Sequence, residues 1–189
     1  MTAQAPAHRM GVRPALPDAP ATGAPAESVP VEELALTPAA MAAAAARLFG
    51  RPFPELSVGD RFETAGRSVR EPDILQFADL TGDAHPQHVD PDWAAASRFG
   101  EQIAHGLLVL SFAVGLLPLD PDRVVALRRL GDAVFKQPVK IGDALHVEGK
   151  ITALKELDPE TGLVETALRI LNQDGRLVVR VTVELVWRA

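Results

Sequence analysis

The sequence predicts an α+β fold in which one antiparallel sheet wraps around a single central helix. Three observations predict it. Residues 107–117 are apolar on nearly every side, which suits a buried helix rather than an amphipathic one. From about Val124 the hydrophobic period changes from 3.6 to 2. Finally, Asp158-Pro159-Glu160-Thr161-Gly162 and Asn172-Gln173-Asp174-Gly175 supply the turn chemistry that joins successive antiparallel strands.

The elements follow in order. Residues 1–30 are dense in Ala and Pro; the prolines lock φ and remove donors, and little apolar surface is on offer, so a disordered tail is expected. A helical extension over residues 31–54 comes next. In it Thr37 is an N-cap, Pro38 stands at the first helical position and Gly50 provides the stop. With only Met41, Leu48 and Phe49 as large apolar groups, that helix needs a surface to pack on. The main domain spans residues 55–189. It opens with a strand from Phe62 to Val69 and a helix whose Ile74, Leu75, Phe77, Ala78 and Leu80 follow helical spacing. A polar loop, residues 81–90, leads to a short helix opened by Pro91. The apolar helix begins at Gly106 and is ended by Pro118. Leu145, Val147, Gly149, Ile151 and Ala153 then alternate with polar residues, as do Val179, Val181, Val183, Leu185 and Trp187. No internal repeat occurs, so one such unit is expected.

Composition narrows the function. At 189 residues the chain is long enough for one domain with a substantial core. The net charge is -6 and no Lys/Arg cluster offsets it, which argues against a nucleic-acid surface. The absence of cysteine excludes disulfides, a thiolate nucleophile and a Cys-based zinc site. The longest apolar stretch, residues 103–117, would extend about 22 Å as a helix, short of the ~30 Å hydrocarbon core. The N-terminus has no apolar h-region of a secretory signal, and a cytoplasmic location is expected.

The chemistry concentrates in one stretch. His146 falls on the polar face of a strand, whereas Asp83, His85, His88 and Asp90 crowd one loop and His105 precedes Gly106. A carboxylate and an imidazole on a rigid loop can act as an acid/base pair on one water, because imidazole titrates near working pH. The first N–H groups of a buried helix have no intrahelical partners, so those at Gly106 can stabilise charge developing on an oxygen. Two other readings compete. Asp83 and Asp90 can be helix caps with His85 and His88 on a surface loop. The four loop residues are also all ligand types, although their intervals match no standard zinc signature and Pro86 restricts their convergence, so no metal is expected.

Phe77-Ala78-Asp79-Leu80-Thr81-Gly82-Asp83-Ala84-His85-Pro86-Gln87-His88-Val89-Asp90, followed by Phe99-Gly100-Glu101-Gln102-Ile103-Ala104-His105-Gly106-Leu107-Leu108, resembles the MaoC-like (R)-specific enoyl-CoA hydratases. The likeness runs on through Phe135-Lys136-Gln137-Pro138-Val139 and Ile141-Gly142-Asp143 and covers about residues 55–188. It implies a hot-dog fold, with the apolar helix enclosed by the sheet. It also implies reversible addition of water to a trans-2-enoyl thioester, giving an (R)-3-hydroxyacyl thioester. Asp83 and His88 then match the catalytic pair, and the Gly106 N–H polarises the thioester carbonyl. One departure stands out: the family motif usually carries Asn where this chain has His85.

His85, Pro86, Phe99, His105, Leu107, Leu108 and Phe112 are the further candidates for contact with substrate, the apolar ones as walls of an acyl tunnel. Arg98 and Lys136 are candidates for a phosphate. The expected ligand is an acyl-CoA or an acyl carrier protein thioester, with coenzyme A part of the substrate and no separate cofactor. No nucleic acid or membrane partner is expected. A single sheet leaves an edge exposed, so a homodimer or higher homo-oligomer is expected. Two rival functions share the fold: an acyl-CoA thioesterase, and a non-catalytic acyl-thioester-binding subunit.

Overall fold

A computed structural model describes residues 37–189; the expected tail over residues 1–30 lies outside the described residues. Helix α1 (Pro38–Phe49) has the predicted punctuation. The Thr37 hydroxyl accepts from the Ala40 N–H at 3.3 Å, and the Gly50 N–H closes the last turn on the Ala46 carbonyl. Its Ala45, Leu48 and Phe49 enter the main hydrophobic core. There the Phe49 ring meets Phe62 edge-on at 5.1 Å and lies 5.3 Å from Trp187. The surface this helix needs is therefore the sheet domain itself.

The expected single strand from Phe62 to Val69 is broken into β1 (Arg61–Glu63) and β2 (Arg67–Ser68). Both pair antiparallel with β4 (Ala144–Asp158), but Glu63 faces Glu148 while Arg67 faces Leu145. One extra residue therefore bulges out between them. The Thr64 hydroxyl bridges the gap by accepting from the Val147 N–H at 3.0 Å. Between β2 and the rest of the sheet lie α2 (Glu71–Thr81), α3 (Pro86–Val89), α4 (Pro91–Ala96) and α5 (Gly106–Leu116). In α2 the buried side is Asp73, Ile74 and Ala78; Leu75 and Leu80 point outward, so its apolar spacing overstated the packed face.

The remaining strands are β3 (Val124–Phe135), β5 (Thr161–Leu171) and β6 (Leu177–Arg188), and the antiparallel order is β1-β4-β5-β6-β3. Period-2 alternation holds along β6, where Val179, Val181, Val183, Leu185 and Trp187 are all buried. In β4 it holds only to Ile151. A bulge between Ile151 and Ala153 then shifts the register, so Ala153 is exposed and Leu154 turns inward. Gly149 has a local reason: a Cβ there would collide with the Phe62 ring that crosses β4.

Helix α5 lies against the concave face of this sheet, the hot-dog arrangement. Leu108, Val109, Leu110, Phe112 and Ala113 are buried. The helix is not enclosed all round, however: Leu107, Ser111 and Gly115 form an exposed stripe, with Leu107 at 64% exposure. Residues four apart share one helix face, and a single sheet covers only the other faces.

Candidate active site

The site is built where four short elements meet. Helix α2 ends at Gly82, whose φ of 78° is the left-handed turn that glycine adopts most readily. The chain swings out there, Asp83 follows, and the turn α3 carries His88. Residues 102–104 run alongside and pin this loop. The Gln102 side-chain amide donates to the His88 carbonyl at 2.9 Å, and the Ala104 N–H bonds the Val139 carbonyl at 2.8 Å. Next come His105 and the first residue of α5, Gly106.

Two imidazoles organise the centre. His88 Nδ1 lies 2.7 Å from the Ile103 carbonyl oxygen, which can only accept, so Nδ1 carries the proton. In the neutral ring Nε2 is then a bare lone pair. Burial is the main cause that lowers the His88 pKa below the usual imidazole value, with smaller contributions from His105 and His85; the Ile103 carbonyl and Asp83 oppose the shift. His105 is 2% exposed, and its Nε2 lies 2.9 Å from the Asp83 backbone carbonyl, so this nitrogen is the donor. The two rings stack with centroids 3.8 Å apart.

Asp83, His88 and His105 each bring a potential ligand atom within 4.8 Å of the others. This is not the loop set that the sequence suggested. Asp90 accepts from the Trp93 N–H as the cap of α4, and His85 Nδ1 accepts from the Gln87 N–H as the cap of α3. A shared ion fits the converging set poorly. Nδ1 of His88 and Nε2 of His105 already bond carbonyls, and the rings stack 3.8 Å apart and tilted by only 29°, so their remaining lone pairs lie in separate, nearly parallel planes.

A cleft of about 590 Å³ opens beside these groups. Of the residues singled out from sequence, Asp83, His88, His105, Gly106, Phe99 and Leu107 line it. His85 and Pro86 do not, because they shape α3 from outside. Nor do Leu108 and Phe112, which are 4% and 8% exposed and sit in the core, Phe112 beneath the Arg67 guanidinium at 3.7 Å. The wall-forming role expected for those two falls instead to Phe77, Val109, Phe135 and Val179, which sequence reasoning missed. Phe135 had a signal, since it begins the Phe135-Lys136-Gln137-Pro138-Val139 segment; Val179 had none beyond its place on the inward face of a strand. Arg98 and Lys136 also border the cleft. Gly106 also lies close under the half-exposed Phe135 ring: a Cβ there would stand 2.7 Å from it.

A carboxylate, a neutral imidazole with a free nitrogen, and a helix-start N–H therefore share one apolar cleft, an arrangement suited to proton transfer next to an activated carbonyl. Residues 55–173 match the family described as the MaoC like domain.

The chain is a member of the MaoC-like domain family.

This MaoC-like chain is 35% identical over 107 residues to an (R)-specific enoyl-CoA hydratase from Aeromonas caviae, covering 57% of the chain and 78% of that protein. It is 39% identical over 100 residues to Protein MaoC from Klebsiella aerogenes, covering 52% of the chain but only 30% of that much longer protein. Among solved structures, a monoamine oxidase regulatory protein from Archaeoglobus fulgidus superposes with a TM-score of 0.69 at 34% identity, covering 73% of the chain and 94% of its own. The family is one of hydratases and dehydratases with a hot-dog fold. No described helix is long and apolar enough to cross a membrane.

Proposed function

We propose that this MaoC-like protein adds water reversibly to a trans-2-enoyl thioester, giving an (R)-3-hydroxyacyl thioester. The observation that carries this reading is the His88 tautomer. With Nδ1 held on the Ile103 carbonyl, Nε2 is the nitrogen left to accept a proton, and burial keeps the ring neutral to a lower pH than usual.

In this mechanism one water sits between Asp83 and His88. His88 Nε2 takes a proton from it as the oxygen bonds to the β-carbon. The electron pair of the double bond moves toward the thioester carbonyl, whose oxygen faces the Gly106 N–H at the positive end of α5. The Asp83 carboxylate takes that proton from the imidazolium and passes it to the α-carbon, so both residues end as they began. The product holds the water oxygen on the β-carbon and the water-derived proton on the α-carbon. The apolar walls take the acyl chain, and Arg98 and Lys136 meet a phosphate of coenzyme A or of a carrier-bound pantetheine.

The working form is a homodimer or higher homo-oligomer, in the cytoplasm. Supporting the assembly is β3, a 12-residue edge strand paired, among the described residues, only with β6, with Val125, Leu127, Leu130 and Phe135 exposed along it. A second copy along that edge covers its open backbone groups and apolar side chains.

The reverse reaction tests the proposal. Given (R)- and (S)-3-hydroxybutyryl-CoA separately, the protein is expected to generate the conjugated enoyl absorbance from the (R) isomer alone. Release of free thiol without enoyl absorbance contradicts the reading and makes the protein a thioesterase; tight acyl-CoA binding with neither product makes it a non-catalytic subunit.

A further inference from the structure

His85 belongs to the loop of Asp83 and His88 yet neither lines the cleft nor joins the acid/base pair. Its position is informative all the same. It is the N-cap of α3, and its Nδ1 accepts from the Gln87 N–H at 3.1 Å. Helix α3 is one turn of four residues, too short to be held by its own propagation. Its internal ties are the His88 N–H to the His85 carbonyl and the Asp90 N–H to the Pro86 carbonyl, both at 2.9 Å. Pro86 has no N–H, so the Gln87 N–H is the first donor at this terminus that needs a partner.

The ring is also held in place. His85 stands edge-on to Trp93 of α4, centroids 5.3 Å apart and planes at 89°. An imidazole fixed in that rotation keeps Nδ1 turned to the Gln87 amide. An asparagine, usual at this position in the family that the sequence resembles, can offer an amide oxygen to the same N–H, because side-chain oxygens at an N-cap accept from the second or third helical residue.

We propose that His85 is a positioning residue: its Nδ1 caps the single turn that carries His88, and Trp93 holds the ring in the orientation that capping requires. The functional part of this inference rests on His88 acting as the base. The ring nitrogen replaces an amide oxygen as cap, and the aromatic contact, which an amide would not make, ties α3 to α4.

Three substitutions separate acceptor from ring. His85→Asn keeps an acceptor without the ring, His85→Phe keeps a ring against Trp93 without the acceptor, and His85→Ala removes both. Hydration of trans-2-butenoyl-CoA and hydrogen exchange of the Gln87 amide are measured for each in the full chain. With His85→Phe and His85→Ala, kcat is expected to fall roughly 3- to 30-fold, the range that loss of an N-cap implies, with KM changed much less. Gln87 exchange is expected to quicken by a similar factor. His85→Asn is expected to keep both kcat and protection within about 3-fold of the parent. Parent-like kcat and parent-like Gln87 protection in His85→Phe would overturn the proposal, as would a His85→Asn variant as impaired as His85→Ala. If the parent itself does not turn over the probe, the hydratase reading fails, and the exchange comparison alone decides whether His85 caps the turn.

Discussion

The imidazole rings of His88 and His105 stack with centroids 3.8 Å apart and planes 29° from parallel, while His105 bonds the Asp83 carbonyl at 2.9 Å. His105 also immediately precedes Gly106. One buried ring thus fixes the base, the backbone of the carboxylate residue and the helix-start N–H relative to one another. His105→Phe keeps a ring of similar size but leaves the Asp83 carbonyl without its donor. Loss of that part-buried bond is expected to cost about 0.5–1.5 kcal/mol in urea unfolding. Turnover should fall as the Asp83 loop loosens, a change read by steady-state kinetics on the folded variant.

The depressed His88 pKa sets a pH dependence. Burial lowers it below the ordinary 6.5, so the folded ring stays neutral where the unfolded ring is already protonated. As pH falls below about 6.5 the unfolded chain takes up a proton that the folded chain refuses, and stability drops until the folded pKa is passed. His88→Gln should flatten that part of the stability–pH curve. The acid limb of kcat/KM, which follows the base in the free protein, is expected below pH 6.5 for the same reason.

Gly106 and Phe135 should behave as a coupled pair. A Cβ at residue 106 would meet the Phe135 ring at 2.7 Å, so Gly106→Ala must displace either the ring or the start of α5. Because the Phe135 ring is 50% exposed and can swing aside, the cost is expected at or below the low end of the ~1–3 kcal/mol that overpacking a closed core brings. Adding Phe135→Ala should relieve the clash, so the double variant is expected to be more stable than the sum of the single effects predicts in thermal unfolding.

The open edge of β3 gives an assembly prediction. Val125 and Leu127 are both exposed there, and lysine at both positions places like charges on the edge proposed to meet a second copy. Sedimentation should show the parent as a dimer or higher oligomer and Val125→Lys/Leu127→Lys as a monomer. A parent that sediments as a monomer while active would contradict the proposed assembly.

The sequence made the architecture legible where one pattern has one structural meaning. The change to period 2 at Val124 marks the onset of β3, and the turns after Asp158 and Asn172 join β4 to β5 and β5 to β6. It was less legible where geometry depends on neighbours. An apolar helix has no phase, so Leu108 and Phe112 looked as much like cleft wall as Val109 does. The break at residues 64–66 and the shift after Ile151 arise from bulges, which leave no periodic mark. In the candidate site, Asp83, His88 and Gly106 could be named because their residue types and spacing are chemical. Phe77 and Val179 could not, because only folding brings a helix face and a distant strand to the same cleft. The Asp83–His88–His105 convergence likewise depends on the Asp83 carbonyl meeting a ring that follows it by 22 residues.

The most direct measurement follows loss of the conjugated enoyl absorbance of trans-2-butenoyl-CoA with the parent protein and with Asp83→Asn side by side. The account predicts rapid loss with the parent, a rate lower by about 10²–10⁴-fold in folded Asp83→Asn, and an (R)-3-hydroxy product. Equal rates for the two proteins, or an (S) product, would contradict it.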